Sequence, residues 1–216
     1  MNETFFIDIW SDVVCPFCYL GTRQLAMAME RFEHSAFTVV RYRAFELDPH
    51  AALAGDDGLD ESLAQKYSMS VERARSLNRH LEDQASTLGM AWRLDLARPA
   101  NTFDAHRLMA YASTKSLAGE MNQRLFRAYF SEGQLLSDRE TLSSLAQEVG
   151  LGETDALWSS DAYADRVRND ERWAQELDIT GVPAMLLDGS SILVGAQGAD
   201  RMLVVLNRAW TRRDQV

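Results

Sequence analysis

The feature that most constrains this chain is a cysteine pair, Cys15 and Cys18, placed between a strand-like segment and a helix-like one. These are its only cysteines. The segment Phe5–Trp10 that leads into them is apolar except for one aspartate, which is typical of a central strand covered on both faces. The segment from Tyr19 to about Phe32 that leads out of them has helical periodicity. The pattern therefore places the pair where a strand passes into the first turn of a helix.

That position gives the two sulfurs different chemistry. The partial positive charge and the unpaired N–H groups of a helix N-terminus stabilise a thiolate. We therefore expect the pKa of Cys15 to lie below that of a free cysteine. The two-residue spacing lets the second sulfur reach the first and resolve a mixed disulfide. Cys15 is thus the predicted nucleophile, and Cys18 is the predicted resolving thiol, the more buried of the two.

Two other interpretations of the pair carry less weight. A structural zinc site needs more ligands than one cysteine pair supplies, and the chain has no third cysteine. Its histidines show no ligand spacing, so no metal site is predicted; they are His34, His50, His80 and His106. Inert packing of both sulfurs is the remaining possibility. The pattern favours a redox pair.

The rest of the chain predicts an α/β fold interrupted by helices. Phe37–Phe45 has the composition of a second strand, parallel to the first because a helix connects them. Ala51–Gly58 is a loop or linker, and from there to about Leu177 helical periodicity dominates. A β-hairpin turning at Asp188-Gly189 and a last helix follow. We expect one α/β domain from residues 1–50 and 176–216, interrupted by a helical insertion at 51–175.

Two helix starts are visible in the middle of the chain. Asn101-Thr102 is a predicted N-cap for the helix that carries His106. Ser137 stands three residues before Glu140, which is the spacing of a capping box.

Composition limits the partners. The formal net charge of −10 and the absence of a basic cluster make nucleic acid and anionic membrane unlikely partners. The N-terminal residues show no secretory signal pattern, and no apolar run approaches the length of a membrane span. We therefore expect a cytoplasmic chain, in which a closely spaced cysteine pair indicates redox or metal chemistry and not a disulfide framework.

The order of these elements resembles the thioredoxin fold, and the long helical insertion resembles the DsbA-like superfamily. Five segments spread along the chain are similar to the FrnE-like subgroup of DsbA-family oxidoreductases: Ser11–Gly21, Phe45–Pro49, Asn101–Leu108, Gly181–Pro183 and Gly195–Gln197. The resemblance implies a cytoplasmic thiol–disulfide oxidoreductase. Phe17 departs from it, because DsbA has histidine at this position and the subgroup more often has tryptophan. The chain also lacks the second cysteine pair of some FrnE-like proteins.

The resemblance further implies which residues bind substrate. In the family, the bond between Val182 and Pro183 is cis and faces the disulfide, which would leave the Val182 backbone open to pair with a substrate strand. Pro16 and Phe17 would flank the same substrate. The segment with Asn101 and His106 would lie near the cleft, although a helix cap and a packed histidine explain it equally well.

Two aspartates are candidates for the group that accepts the Cys18 proton. We take Asp12, just before the turn, as the candidate proton acceptor. An aspartate at this position is more often a solvated carboxylate without such a role. Asp8 is the less usual residue, because it interrupts an apolar strand whose faces the sequence does not define.

Alternative functions on the same fold stay open. Kappa-class glutathione transferases and 2-hydroxychromene-2-carboxylate isomerases belong to the same superfamily, use glutathione, and commonly have serine where this chain has Cys15. A polyketide-pathway or chaperone-like binding module is the non-enzymatic alternative. We expect no bound cofactor, with glutathione as a possible co-substrate, and protein or low-molecular-weight thiols and disulfides as substrates. Monomer and homodimer remain open.

Overall fold

The computed structural model describes residues 4–53 and 58–213. The strands are β1 (Phe5–Ser11), β2 (Thr38–Ala44), β3 (Ala184–Leu187) and β4 (Ser191–Val194). The helices are α1 (Pro16–Met29), α2 (Leu59–Lys66), α3 (Val71–Thr87), α4 (Phe103–Thr114), α5 (Ala118–Glu132), α6 (Arg139–Glu148), α7 (Asp155–Trp158), α8 (Ala164–Glu176) and α9 (Ala199–Arg213).

The four strands form one mixed sheet in the order β2-β1-β3-β4. β1 and β2 are parallel, as the strand–helix–strand pattern predicts, whereas β3 is antiparallel to both β1 and β4. The predicted hairpin turn is confirmed: Asp188 and Gly189 have φ angles of 47° and 69°. These positive angles suit aspartate and glycine, and they reverse the chain between β3 and β4. β1, the strand that leads to the cysteines, therefore lies inside the sheet.

Both faces of β1 are covered, as its apolar sequence predicts. Phe5, Ile7 and Ile9 alternate along one face and pack in a core with residues of α1 and α9. Trp10 lies on the other face, in a second buried cluster with Ala174 of α8. Because both faces are packed, β1 is a fixed base for the turn that follows it.

The chain divides into two compact units, residues 1–47 with 167–216 and residues 48–166. The second boundary lies nine residues earlier than the sequence indicated, because α8 from Val167 onward belongs with the sheet. The Trp10 indole N–H donates to the carbonyl oxygen of Asp170 at 2.8 Å. The Asp170 carboxylate in turn accepts from Arg43 at 3.1 Å and from the Ala44 N–H at 3.2 Å. The sequence of α8 is highly charged and has few apolar residues, so it did not predict that this helix packs against the sheet.

The second unit contains helices and no strand within residues 48–53 and 58–166, as predicted. The predicted loop at 51–58 falls partly outside the described residues. The α6 capping box is wrong in its first residue: Asp138 is the N-cap, and its carboxylate accepts from the Thr141 N–H at 2.9 Å. At α4 the N-cap is Thr102, but its side chain makes no capping bond; the Asn101 side chain accepts from the Phe103 N–H instead.

Among the described residues, no helix is both long enough and apolar enough to cross a bilayer.

Candidate active site

Cys15 is the N-cap of α1, and Pro16 occupies the first helical turn, where its missing N–H is not needed. Cys15 has extended backbone angles, and its carbonyl oxygen accepts from the N–H groups of Cys18 and Tyr19 at 3.1 and 3.3 Å. Its own N–H donates to the carbonyl oxygen of Asp12 at 3.1 Å. This turn places both sulfurs at the positive end of the helix.

Both cysteines are free thiols, and both are buried, with Cys15 4% exposed and Cys18 0% exposed. Cys18 is thus the more buried of the two, as predicted. The hydrogen bond from the Cys18 thiol lowers the pKa of Cys15 below the usual cysteine value, against the effect of burial. Backbone N–H groups of Cys18 and Phe17 lower the Cys15 pKa further, whereas the Asp12 charge raises it.

The same contact acts in the opposite direction on Cys18. Burial raises the pKa of Cys18 well above the usual value, and the hydrogen bond and charge of Cys15 raise it further. The Ser11 hydroxyl and the Asp12 backbone partly oppose this rise. The two environments therefore separate the two sulfurs: Cys15 ionises first, and Cys18 keeps its proton.

The Val182–Pro183 peptide bond is cis, and it lies against the cysteine turn. The Cys15 thiol donates to the Val182 carbonyl oxygen over 3.8 Å. The Pro183 carbonyl oxygen accepts from the Gly195 N–H at 2.7 Å, which ties this loop to the residue after β4. Segments far apart in sequence thus form one site within the first unit.

Gly21 makes this approach possible, and the sequence analysis missed it. A Cβ atom at Gly21 would lie 2.9 Å from Cγ of Pro183, closer than side-chain atoms normally come. A glycine inside a helix destabilises it by about 1 kcal/mol relative to alanine. A glycine in the predicted helix therefore indicated that another segment packs closely there. Here the cost is offset by the contact between α1 and the cis-proline loop.

Replacing Gly21 with alanine is expected to destabilise the protein, because the added Cβ would lie 2.9 Å from the buried Pro183 ring, so that one of the two must shift. Overpacking of this kind costs about 1–3 kcal/mol, which exceeds the gain in helix propensity. Urea unfolding measures the effect. Gly119→Ala in α5 is the matched control: no atom lies within 4 Å of its added Cβ, so it should be neutral or slightly stabilising. A Gly21→Ala protein as stable as wild type would contradict the proposed close approach.

The surface next to the cysteines is apolar and exposed. Phe17, between the two cysteines, is 50% exposed, and Leu47, in the segment after β2, is 42% exposed. The Leu47 N–H donates to Oδ2 of Asp12 at 2.8 Å. The Asp12 carboxylate therefore joins the post-β2 segment to the cysteine turn.

The expectation of a solvated Asp12 is wrong, since this residue is only 1% exposed. The strand before it ends in the core, and the segment after β2 covers it. Asp8 is the other candidate for the Cys18 proton; its carboxylate is held by two cations, and its role as an acceptor stays a prediction. Its oxygens accept from Arg41 at 2.5 and 2.9 Å and from Arg43 at 2.8 Å. Asp8, the one acidic residue of β1, is thus a buried carboxylate at the centre of an ion cluster with Arg41 and Arg43.

Asn101 and His106 lie in the second unit, and their part in substrate binding stays a prediction. The Asn101 side chain bridges the start of α4 and the Pro49 carbonyl oxygen, which is the structural role the sequence left open. His106 is 4% exposed within α4.

The sequence analysis also overlooked two hydroxyl groups near Cys18. Ser11 ends β1, and its hydroxyl lowers the pKa of Cys18. The Thr22 hydroxyl donates to the Cys18 carbonyl oxygen at 2.9 Å. Small hydroxyl residues beside a motif give no signal without coordinates. Across residues 4–53 and 58–213, no three His, Cys, Asp or Glu side chains are grouped as metal ligands.

Comparison of the chain with known proteins identifies its family. The family model of the DSBA-like thioredoxin domain matches residues 6–207, and the chain therefore belongs to that family. Its members are thiol–disulfide oxidoreductases, which is the class of enzyme that the fold and the cysteine pair define.

Individual relatives cover nearly the whole chain. A probable DsbA oxidoreductase, SCO1869 of Streptomyces coelicolor, is 36% identical with a TM-score of 0.92, over 96% of this chain and 90% of that one. The uncharacterized protein YwbO of Bacillus subtilis is 29% identical over 91% of this chain and 93% of its own length.

More distant structures share the fold alone. The cytosolic disulfide reductase DsbM of Pseudomonas aeruginosa, solved with GSH, is 20% identical with a TM-score of 0.67, over 95% of this chain and 99% of that one. A 2-hydroxychromene-2-carboxylate isomerase is 22% identical with the same TM-score of 0.67, over 97% and 96%.

Proposed function

We propose that this protein exchanges disulfides with thiol substrates, using Cys15 as the nucleophile and Cys18 as the resolving thiol. One observation carries the proposal: Cys15 caps the N-terminus of α1, where the Cys18 hydrogen bond lowers its pKa, and faces the carbonyl oxygen of Val182. A thiolate at that position is a nucleophile at neutral pH. The cis-proline loop beside it offers a backbone edge to an extended substrate.

The proposed cycle has two thiol–disulfide exchange steps. The Cys15 thiolate attacks one sulfur of a substrate disulfide, whose S–S bond breaks and releases one substrate thiolate, which takes up a proton. The Cys18 sulfur then loses its proton and attacks the Cys15 sulfur of the mixed disulfide. This step releases the second substrate thiol and leaves a Cys15–Cys18 disulfide. The substrate gains two electrons and two protons, and oxidation of a dithiol runs the same steps backwards.

The geometry also accounts for the order of the two steps. While Cys15 is a thiolate, its charge helps to keep Cys18 protonated. A mixed disulfide at Cys15 carries no charge, so this part of the barrier to Cys18 ionisation disappears. The Ser11 hydroxyl and the Asp12 backbone N–H then remain to stabilise the Cys18 thiolate. We assign Asp12 as the candidate proton acceptor in this step.

The substrates we propose are proteins or low-molecular-weight disulfides, with glutathione as a co-substrate and the cytoplasm as the compartment. The exposed Phe17 and Leu47 side chains suit apolar segments next to a substrate cysteine. The fold likeness to DsbM, solved with GSH, is compatible with glutathione. The direction of electron flow follows from the reduction potential of the pair against that of the compartment.

Alkylation tests the assignment of the two sulfurs. Because the pKa of Cys15 is lowered and that of Cys18 is raised, iodoacetamide should modify Cys15 first at every pH. Because the pKa of Cys15 is lowered, the rate at Cys15 should rise with pH through a midpoint below 9.0, the ordinary cysteine value. A lower pKa means that a larger fraction of Cys15 is thiolate at neutral pH. Peptide mass mapping across a pH series measures both. Faster modification of Cys18 would contradict the assignment.

The glutathione-dependent transferase or isomerase remains the alternative on this fold. The Cys15→Ser/Cys18→Ser double variant separates the two, since serine is common at the first position in those enzymes. Redox chemistry predicts that this variant has lost both disulfide exchange and any reaction of glutathione. Glutathione conjugation or isomerisation that is retained in the double variant would favour the transferase or isomerase. Substrate binding that is unchanged in the double variant would favour a chaperone-like module.

A further inference from the structure

Three charged side chains that the proposed thiol chemistry does not use meet where the segment after β2 packs on α8. They are Glu46, Arg168 and Glu171. The Glu46 side chain is 0% exposed, and that of Glu171 is 17% exposed. Nη1 of Arg168 donates to Oε2 of Glu46 at 2.5 Å and to Oε2 of Glu171 at 2.8 Å. Two carboxyl groups thus share one nitrogen of one cation.

The second oxygen of each carboxyl group is also buried. Oε1 of Glu46 and Oε1 of Glu171 accept a hydrogen bond from no donor among the described residues. An orphaned buried acceptor costs about 1–3 kcal/mol, and two ionised carboxylates side by side add repulsion to that cost. A proton on one carboxyl group, donated to the other, removes both penalties at once.

The electrostatics agree with this arrangement. Burial raises the pKa of Glu46 above its usual value, and the hydrogen bond and charge of Glu171 raise it further. The hydrogen bond from Arg168 opposes the rise without cancelling it. Two other charges of the same elements are paired with each other: Arg43 of β2 bonds Asp170 of α8 at 3.1 Å.

We propose that Glu46 and Glu171 share a single proton in the folded protein, and that this acid pair fastens the post-β2 segment to α8 in a pH-dependent way. With the proton in place, the pair and Arg168 carry no net charge. When the proton is lost, two buried carboxylates repel each other around one cation, and the segment loosens from the helix. The proposal does not depend on the redox roles of the cysteines.

The fastened segment reaches the cysteine turn through the backbone. Leu47 follows Glu46 directly, and its N–H donates to Oδ2 of Asp12 at 2.8 Å. Asp12 in turn accepts from the Cys15 N–H at 3.1 Å. Two hydrogen bonds, from Leu47 to Asp12 and from Cys15 to Asp12, therefore connect the segment that carries Glu46 to the backbone of Cys15.

Unfolding as a function of pH tests the shared proton. The raised pKa means that the folded state holds a proton which the unfolded state releases near 4.5, the usual value. The stabilising effect of this proton is fully present below that pH and is lost as the pH rises through the folded pKa. Within this window, the folding equilibrium constant of the wild type should fall by up to about tenfold per pH unit from this group.

Glu46→Gln and Glu171→Gln are the informative variants, because a glutamine N–H replaces the shared proton permanently. Each should lose this pH-dependent decline and become more stable than wild type above the window. Asp200→Asn is the control, since Asp200 is an exposed carboxylate paired with Arg31 in the same unit, 88% exposed. The control should follow the wild-type profile. Wild type and both glutamine variants with parallel profiles would overturn the proposal.

Amide hydrogen exchange at Leu47 tests the fastening in the wild-type protein itself. After correction for the intrinsic pH dependence of exchange, the protection of the Leu47 N–H should fall across the same pH window. In Glu46→Gln it should stay constant. Protection at Leu47 that is independent of pH in the wild type would overturn the proposal even if neither variant folds.

Discussion

Replacing Cys15 with serine is expected to reduce insulin-disulfide reduction to the rate measured without protein. The reacting group is then a hydroxyl, which does not ionise near neutral pH, and the remaining thiol has no exposed surface. Its pKa is raised by burial, so Cys18 cannot substitute as the attacking sulfur. Turbidity of the released insulin chains measures the reaction. Full activity in Cys15→Ser would refute the proposed roles.

Cys18→Ser gives the complementary result. It should attack substrate disulfides but fail to resolve them, so that covalent adducts at Cys15 accumulate and are visible by mass spectrometry. A serine hydroxyl can still donate to the Cys15 sulfur, and this hydrogen bond is the largest cause of the lowered Cys15 pKa. Cys18→Ala removes the donor as well. Adducts should therefore form faster in the serine variant than in the alanine variant, and equal rates would show that the donor is unimportant.

Replacing Asp8 with alanine is expected to produce the largest loss of stability. Its side chain is 2% exposed, and it compensates the charges of Arg41 and Arg43, whose side chains are 39% and 18% exposed. Removing one partner of a buried pair costs roughly 3–5 kcal/mol. Because Arg41 can turn towards solvent, we expect the lower end, about 3 kcal/mol. Urea unfolding at neutral pH measures it.

The control for Asp8→Ala is Asp200→Ala, which removes an ion pair with Arg31 at 2.5 Å whose aspartate is 88% exposed. Exposed pairs contribute about 1 kcal/mol or less, so this variant should be close to wild type. Similar losses in the two variants would mean that burial does not determine the energy of the Asp8 cluster.

Most of the first unit follows from short-range patterns in the chain. Periodicity separates the strands from the helices, and turn residues such as Asp188 and Gly189 define the hairpin. The connection of β1 to β2 through α1 makes the two strands parallel. The position of Cys15 at a helix start is a local fact of the same kind. These features depend on neighbouring residues, which a sequence displays directly.

The parts that sequence reasoning missed are contacts between distant residues. Gly21 is needed because of Pro183, and the buried Asp12 carboxylate bonds the backbone N–H of Leu47. Asp8 is neutralised by cations of the next strand, and α8 belongs with the sheet through the contacts of Asp170. Each of these contacts depends on where a second segment of the chain packs. The periodicity of the sequence does not predict which distant residue a polar side chain will contact.

The division of the first unit into two stretches of sequence, residues 1–47 and 167–216, has a consequence for synthesis on the ribosome. The thiols leave the exit tunnel before Val182, Pro183 and the strand that flanks β1 on its other side, because residues 48–166 are synthesised in between. During that interval the nascent polypeptide carries two cysteines with no loop to shield them. Premature cross-linking is therefore a hazard of this topology, and a reducing compartment would protect the unfinished chain.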